Sequence, residues 1–436
     1  MKLTYIIIIT LFFKISSKEI RFPFKRHYNQ KISEIPSQEL MKKLHDSNME
    51  IFIEIGSNSQ KIPFYLRLDQ YSFFTSCSEA NIDKNLIKFM EKESTTLEKD
   101  SKEYFSYQYF SVGYKSRDNF KFPNKITKKL NFILATDLIR SYNVSGIIGL
   151  KNHEKSTDFS IKDYNFLVQL KKLEIINNLD FVLKFSNKDE GELIIGEKPH
   201  IYDNNYDEEK FLSVRTLINE DNDIIWGLNF NNISHSLKNG KKNIMKESQK
   251  GYFKIKIDGI LGAHEYEDLI IDDFKKLINE GKCFTENTIS FRYYYCDKNV
   301  NMDFIGNLEF EHSDLKTIFT FSKEDLIYYD NKGYQHFLVK FQNGVRDKNW
   351  IFGKLFLEKY LLVFNLEDNT IGYYLKGKRR FSGISILVSL LIIIIIFLIF
   401  MLYYYIKKIP RKKRSYELEE NYDYIPQTGN KLLLSN

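Results

Sequence analysis

The stretch that decides the fold lies near the C-terminal end of the chain, at residues 350–373. It reads Trp350-Ile351-Phe352-Gly353-Lys354-Leu355-Phe356-Leu357-Glu358-Lys359-Tyr360 and continues through Val363-Phe364-Asn365 to Ile371-Gly372-Tyr373. The apolar run at 360–364 is short and partly aromatic, which is typical of a buried strand. We therefore expect a β-strand here, and similar runs recur upstream.

Six further runs of apolar or alternating residues predict strands. They lie at residues 51–55, 64–68, 181–185, 192–195, 252–257 and 337–341, and Gly, Asn, Asp and Ser bound them. The best helical candidates are residues 166–177 and 272–280, and we find no internal repeat. The body of the chain, residues 18–380, is therefore predicted to be mainly β with small helices.

The composition excludes several classes of protein. The chain has 436 residues, of which 43% are hydrophobic and 15% aromatic, so most of it can bury a core and is not intrinsically disordered. With 7 Pro, 20 Gly and 3 Cys it is not collagen-like, low-complexity or a disulfide framework. The formal charge of +7 comes largely from basic runs beside one apolar segment, so no nucleic-acid partner is indicated.

The order of the motifs resembles that of the pepsin-like aspartic proteases. Glu54-Ile55-Gly56, followed by an apolar strand that ends at Asp69, is similar to the opening I-x-I-G-x-P-x-Q and the strand before Asp-Thr-Gly-Ser in that family. Four further segments follow in the family's order: Gly-Ile-Ile-Gly-Leu at 146–150, the helical segment from 166, Gly-Glu-Leu-Ile-Ile-Gly at 191–196 and Trp-Gly-Leu at 226–228. The stretch 350–373 resembles I-L-G-D-x-F-L-x-x-Y-x-x-V-F-D and the later I-G-F.

This resemblance covers residues 48–375 and implies a bilobal β fold with a peptide-binding cleft. The N-terminal lobe would be residues 48–210 and the C-terminal lobe residues 211–375. The resemblance also implies a disulfide between Cys283 and Cys296, which a secretory route permits. It implies no cofactor.

The catalytic chemistry of the family needs two Asp carboxylates, one from each lobe, that share a proton. Asp69 stands where the first would be, but Gln70-Tyr71-Ser72 replaces the expected Thr-Gly, so Asp69 is either catalytic or a remnant turn residue. Tyr107 resembles the flap tyrosine that closes over substrate, or is an ordinary strand aromatic.

The second lobe departs further from the pattern. Asp258 is the candidate second carboxylate, although Gly-Ile follows it instead of Thr-Gly. Counting back from the predicted helix instead places the site at Leu261-Gly262, where there is no carboxylate, and we prefer this placement. The dyad is therefore predicted to be impaired.

Two apolar segments indicate secretion and a membrane anchor. Residues 1–17 have the charge, apolar run and small residues of a signal peptide. Residues 384–406 are long enough to cross a bilayer, after a linker at 376–383 and before a basic tail at 407–436. We expect a single-pass type I protein of the secretory pathway, endolysosomes or plasma membrane. Tyr422 and Ile425 form a possible sorting-adaptor motif in the tail.

The remaining features leave alternatives open. Residues 18–47 are either a propeptide remnant, consistent with Arg21, Lys25 and Arg26, or an N-terminal strand. Asn143 and Asn232 begin glycosylation sequons, and Asn232 is favoured. Cys77 is a buried free thiol or forms an intermolecular bond. Residues 264–268, His-Glu-Tyr-Glu-Asp, lack a second His, so we expect a solvated acidic turn and no metal site.

These observations lead to one functional prediction and one alternative. By resemblance the protein is a membrane-anchored aspartic endopeptidase with an impaired dyad, acting on peptides in a lumenal compartment or at the cell surface. The alternative is a catalytically dead receptor that binds or sorts peptides in the same cleft.

Overall fold

The computed structural model describes most of the predicted body of the chain. The described residues are 18–28, 34–45, 47–106, 110–139, 144–151, 163–218, 223–237, 240–245, 247–344, 348–375, 391–392 and 394–405. Residues 18–375 lie within one compact unit, and the helical residues near 400 belong to a second. Each unit is described by itself.

Most strands of the first half of the chain join one sheet. Its thirteen strands follow the order β11-β28-β27-β9-β10-β1-β2-β3-β8-β4-β7-β6-β5. The strands from this half are β1 (Ile20–His27), β2 (Asn48–Ile55), β3 (Gln60–Arg67), β4 (Phe73–Ser76), β5 (Glu98–Ser106), β6 (Phe110–Lys121), β7 (Thr127–Leu138), β8 (Gly146–Gly149), β9 (Asp180–Phe185), β10 (Glu190–Ile195) and β11 (Phe211–Arg215).

The second half of the chain forms its own sheets and returns two strands, β27 and β28, to the first. These strands are β12 (Leu217–Ile218), β13 (Ile224–Ile225), β14 (Gly227–Phe230), β15 (Asn232–Leu237), β16 (Gly240–Met245), β17 (Gln249–Phe253), β18 (Ile260–Gly262), β19 (Cys283–Asn287), β20 (Phe291–Cys296), β21 (Asn307–His312), β22 (Thr317–Phe321), β23 (Ile327–Tyr329), β24 (Gln335–Phe337), β25 (Val339–Gln342), β26 (Trp350–Phe352), β27 (Leu362–Asn365) and β28 (Thr370–Tyr374).

The α-helices within residues 18–375 are short, with one exception. They are α1 (Ser37–His45), α2 (Phe166–Lys172), α3 (Pro199–Tyr202), α4 (His264–Asn279), α5 (Lys323–Leu326) and α6 (Lys354–Lys359). The prediction of a mainly β chain with few helices is therefore confirmed.

Three details of the sequence interpretation are corrected by the structure. The segment 264–268 is not a solvated acidic turn, because it forms the first turns of α4, where Glu267 is buried and bonded to Arg292. The strand predicted at 252–257 ends at Phe253 and continues as a loop. The run 337–341 is interrupted at Leu338, which separates β24 from β25.

The two halves share one arrangement of three strands. In the first half β8 pairs in parallel with β3 and antiparallel with β4, so Ile148 lies opposite both Leu66 and Phe73. In the second half β26 pairs in the same way with β17 and β18, and Phe352 lies opposite both Phe253 and Ile260. Six residues therefore separate these paired positions in each half, 67–72 in the first and 254–259 in the second, and we call them the first and the second loop, although Arg67 still pairs as the last residue of β3.

An aromatic core fills both halves. Phe73 packs against Phe120, Phe132 and Phe166 in the first half, with ring centroids 5.0–6.4 Å apart. In the second half Phe310 packs edge-on against Trp350 and Phe352, both at 4.9 Å. These ring contacts hold β4, which follows the first loop, and β26, which pairs with both strands that flank the second loop.

The C-terminal apolar segment is described only in part. Residues 391–392 and 394–405 are helical, with exposed apolar side chains. Within the described residues, the helices are all too short or too polar to cross a bilayer. The predicted signal peptide, linker and tail lie outside the described residues.

The disulfide implied by the resemblance is present. Cys283 and Cys296 lie opposite each other in the β19–β20 hairpin and are bonded. A cross-link of this span restricts the unfolded chain, so the variant with both cysteines changed to Ser should lose about 3 kcal/mol of unfolding free energy. Urea unfolding with and without dithiothreitol measures this loss.

The free thiol Cys77 provides the control. A Cys77→Ala protein should still be destabilised by dithiothreitol, whereas the double Ser variant should not respond to it. A wild-type unfolding curve that dithiothreitol leaves unchanged would contradict this prediction.

Candidate functional site

Two backbone hydrogen bonds hold each of the six-residue loops in place. In the first loop, Gly149 N donates to Ser72 O at 2.8 Å and Lys151 N donates to Gln70 O at 2.9 Å. In the second loop, Gly353 N donates to Gly259 O at 3.0 Å and Lys354 N donates to Ile257 O at 2.9 Å. The glycine bonds are therefore equivalent, and the matching residues Gln70 and Ile257 both accept a second bond, although its donor differs by one position.

Glycine is required at both contact points. A Cβ atom at Gly149 would lie 2.5 Å from Gln70 O, and one at Gly353 would lie 2.0 Å from Ile257 O. Neither approach is possible for another residue without moving the backbone. The motifs at 146–150 and 350–353 therefore need glycine at these two positions so that strand and loop can approach this closely.

Asp69 lies in the first loop and is held by its neighbour Arg67. Arg67 Nε donates to Oδ1 at 2.9 Å, and its Nη2 donates to Oδ2 at 2.8 Å, so both carboxylate oxygens accept a bond. The Arg67 side chain is 10% exposed and that of Asp69 is 34% exposed. This two-point geometry is the strongest that an arginine and a carboxylate can form.

The surrounding charges keep Asp69 ionised. Burial alone would raise the pKa of Asp69, but the hydrogen bonds and charge of Arg67, together with the charge of Lys254, lower it below the ordinary value. Lys254 belongs to the second loop, so a charge from that loop also acts on Asp69. Asp69 is therefore a poor proton donor.

Lys256 occupies the position in the second loop that corresponds to Asp69. The paired strands align Arg67 with Lys254, Asp69 with Lys256 and Tyr71 with Asp258. Lys256 is exposed, whereas Ile255 and Ile257 on either side of it are buried. The loop position that matches Asp69 thus carries an ammonium group and no carboxylate.

Asp258 is buried and contacts the N-terminal strand instead of Asp69. Its Oδ1 forms an ion pair with Arg26 Nη2, and the Arg26 side chain is only 4% exposed. Burial would raise the pKa of Asp258, but the charges of Arg26, Lys354 and Lys340 lower it overall. Asp258 therefore neutralises a cluster of buried cations.

The same cations bind the C-terminal end of α1. Arg26 Nε donates to Ser47 Oγ at 2.8 Å, Lys340 Nζ donates to Met41 O at 3.2 Å, and Lys354 Nζ donates to Ser47 O at 2.9 Å. Positive charge at this end of a helix is favourable. Burial lowers the pKa of Lys354 well below its ordinary value, and the charge of Arg26 adds to this.

An apolar cluster completes the attachment of α1 to the second half of the chain. Leu40, Met41 and Leu44 of α1 pack against Tyr293 and Leu338. We call residues 34–47 the strap. Beside the strap, Arg26, Leu44, Asp258 and Leu338 line a cavity of about 440 Å³ that Tyr28 and Glu358 also border.

The other residues singled out in the sequence have separate locations. Tyr107, Asn143, Tyr422 and Ile425 lie outside the described residues. Asn232 begins β15, and its Nδ2 donates to Glu311 Oε2 at 3.5 Å. In the described part of the chain, no three His, Cys, Asp or Glu side chains are grouped as metal ligands would be.

The comparisons with known proteins agree with this architecture. The model of one family, the eukaryotic aspartyl proteases, matches residues 51–374. This match covers 324 of the 436 residues, so the chain belongs to that family. No curated protein matches the sequence.

Sequence reasoning missed the roles of Arg67, Lys256 and Arg26. An available signal was the internal likeness of residues 65–74, Tyr-Leu-Arg-Leu-Asp-Gln-Tyr-Ser-Phe-Phe, and 252–261, Tyr-Phe-Lys-Ile-Lys-Ile-Asp-Gly-Ile-Leu. Aligning the two places Lys256 opposite Asp69 without a gap. No comparable signal pairs Arg26 with Asp258, because they are 232 positions apart.

We predict that Asp69→Asn destabilises the protein by about 1 kcal/mol near pH 6, after allowing for solvent screening. The folded-state pKa of Asp69 lies below the ordinary 3.8, so its contribution is complete above that pH and disappears as pH falls through the folded value. Urea unfolding at several pH values measures the difference.

Asp268→Asn, which changes an exposed carboxylate on α4, controls for general charge effects. A difference between wild type and Asp69→Asn that already vanishes well above pH 3.8 would show a raised pKa and would contradict the ion pair.

We also predict that Arg26→Met costs about 3 kcal/mol of unfolding free energy, because a buried carboxylate loses its closest partner. Changing Asp258 to Asn in the same protein should recover part of this loss. Arg21→Met on the same strand is the control, since its side chain is 41% exposed and should cost less than about 1 kcal/mol. Equal losses of unfolding free energy in Arg26→Met and Arg21→Met would show that the strap does not depend on the buried pair of Arg26 and Asp258.

Proposed function

We propose that this protein is a membrane-anchored member of the aspartyl protease family that binds extended peptides without hydrolysing them. The observation that supports this most directly is the pairing of Asp69 with Arg67, opposite a loop that presents Lys256 at the matching position.

Hydrolysis in this family requires two carboxylates that share a proton. One removes a proton from water while the other donates a proton to the peptide. Asp69 remains ionised beside Arg67 and Lys254, so it cannot donate a proton to the peptide. Lys256, at the matching position of the second loop, has no carboxyl group and cannot take the place of the second aspartic acid. Loss of a general acid or base costs about 10²–10⁴-fold in rate each.

The backbone of the two loops nevertheless keeps a matching arrangement. Both loops keep the strand pairings and the glycine contacts that hold them in the same relative arrangement. An extended peptide can add to such a β scaffold through backbone hydrogen bonds, and side-chain pockets then select its sequence.

The cellular context of the proposal comes from the sequence. A signal peptide, an anchor at 384–406 and a tail with Tyr422 and Ile425 would place the peptide-binding body in the lumen or outside the cell. The tail would then recruit sorting adaptors, and the protein would carry bound peptide between membranes of the secretory or endolysosomal route.

An active aspartic endopeptidase is the second candidate, and the family match over residues 51–374 favours it. It would need another carboxylate to approach Asp69. Asp258 would be the first candidate for that carboxylate, but it forms an ion pair with Arg26.

We predict no peptide cleavage by the full chain, purified in detergent, between about pH 3 and 7. A quenched fluorescent peptide library measures turnover, with Asp69→Asn and a pepstatin-type inhibitor as controls for contaminating proteases. Binding of the same peptides is followed by fluorescence anisotropy. Turnover that is abolished by both controls would overturn the proposal and support the endopeptidase.

A further inference from the structure

Glu358, near the end of α6, borders two cavities. One is the cavity beside the strap. The second has a volume of about 330 Å³ and lies among the C-terminal ends of β9, α6 and β28. This volume is at the small end of the range of roughly 300–1,000 Å³ found for ligand pockets. We call it the tyrosine cavity, because it is lined by Tyr206, Tyr360, Tyr373 and Tyr374.

The lysines that line the tyrosine cavity are already neutralised by partners within the chain. Lys184 Nζ donates to Asp203 Oδ2 at 2.9 Å, and Lys359 forms an ion pair with Asp325. The carboxylate of Glu358, in contrast, makes no hydrogen bond or ion pair with a described residue. The charge that remains unbalanced in this cavity is therefore negative.

A second carboxylate and the surroundings of Glu358 add to this negative charge. Asp207 also lines the tyrosine cavity, and its side chain accepts a bond from Glu209 N at 3.1 Å. Burial, followed by the charge of Asp258, raises the pKa of Glu358, and the charge of Arg26 offsets only part of this. A cation beside Glu358 would therefore be stabilising.

The cavity beside the strap shows what its own aromatic walls hold. The guanidinium carbon of Arg26 lies 4.9 Å from the ring centroid of Tyr28, and the ammonium of Lys188 lies 4.6 Å from that of Tyr328. Both are cation–π contacts, in which the negative face of a ring attracts a positive charge. In that cavity the chain itself provides the cations.

The tyrosine cavity offers aromatic rings to which the chain brings no such cation. The ring centroids of Tyr206 and Tyr374 are 4.9 Å apart, with their planes inclined at 59°. In the part of the chain that the structure describes, no lysine or arginine lies over either ring. Phe185 adds a further aromatic side chain to the lining. Aromatic walls beside an unpaired carboxylate suit an organic cation.

We propose that the tyrosine cavity binds a quaternary ammonium group, with Tyr206 and Tyr374 against its methyl groups and Glu358 as the counter-ion. A quaternary ammonium suits this lining better than a primary one, because it needs no hydrogen-bond acceptors and loses less hydration among aromatic rings. Free choline and the choline headgroup of a lipid share this chemistry, and the experiment distinguishes them. The site is separate from the two loops and does not depend on peptide binding.

The test measures binding to the full chain in a maltoside detergent, which contains no ammonium group. NMR saturation transfer from the protein to the equivalent methyl protons of choline gives its dissociation constant. The matched neutral ligand is 3,3-dimethylbutan-1-ol, in which carbon replaces the nitrogen of choline. We expect choline to bind about tenfold more tightly than this alcohol, because only choline carries a charge.

Three variants assign the effect to the tyrosine cavity. Glu358→Gln should weaken choline binding about tenfold and leave binding of the neutral alcohol unchanged, and Tyr206→Leu should weaken choline binding about fivefold. Glu209→Gln removes a nearby exposed carboxylate that does not line the cavity, so its effect should be less than about twofold. Because Glu358 and Glu209 are both exposed, these two changes remove no core packing.

Glycerophosphocholine, the lipid headgroup without its acyl chains, distinguishes the two sources of the ligand. Tighter binding of glycerophosphocholine than of choline would support the proposal and assign a lipid headgroup, whereas tighter binding of choline would support it with a free ammonium ion. Equal binding of choline and the neutral alcohol would overturn the proposal, and so would equal weakening by Glu358→Gln and Glu209→Gln. Binding that does not saturate by about 100 mM choline would also overturn it.

Discussion

The site depends on a close backbone contact that occurs twice. At Gly353 and at Gly149 a strand end approaches the adjacent loop so tightly that a side chain would collide with a carbonyl oxygen. Hydrogen bonds from the glycine N–H and from a residue that follows it tie the loop to the strand, and aromatic packing at β4 and β26 keeps the strands in place.

The two loops have matching backbone positions but differently charged side chains. The first loop presents Asp69 with its own arginine, and the second presents lysines at the matching positions. Asp258, the acidic residue of the second loop, instead faces Arg26 and supports the strap. The two matching loops thus hold an ion pair in the first and a lysine at the matching position in the second.

Much of the fold was predictable because its signals are local. The short apolar runs, the glycine motifs and the two cysteines each carry their information within a few residues, and the run at 360–364 alone indicates a strand. The start of α4 was missed because its N-cap is Ala263, which provides no side-chain capping bond. The strap was missed because its attachment is to Tyr293, Lys340 and Lys354, far away in the chain. Lys256 could only be assigned once strand pairing fixed the register of both loops.

The central claim is that Asp69 is an isolated, ion-paired carboxylate and not half of a dyad. Its most direct test is a ¹³C NMR titration of the Asp side-chain carboxyls, with the Asp69 signal assigned by its absence from Asp69→Asn. The account predicts a single titration step with a pKa below the ordinary 3.8. Two coupled steps, or a pKa raised above that value, would show a second carboxyl sharing a proton with Asp69 and would contradict the account.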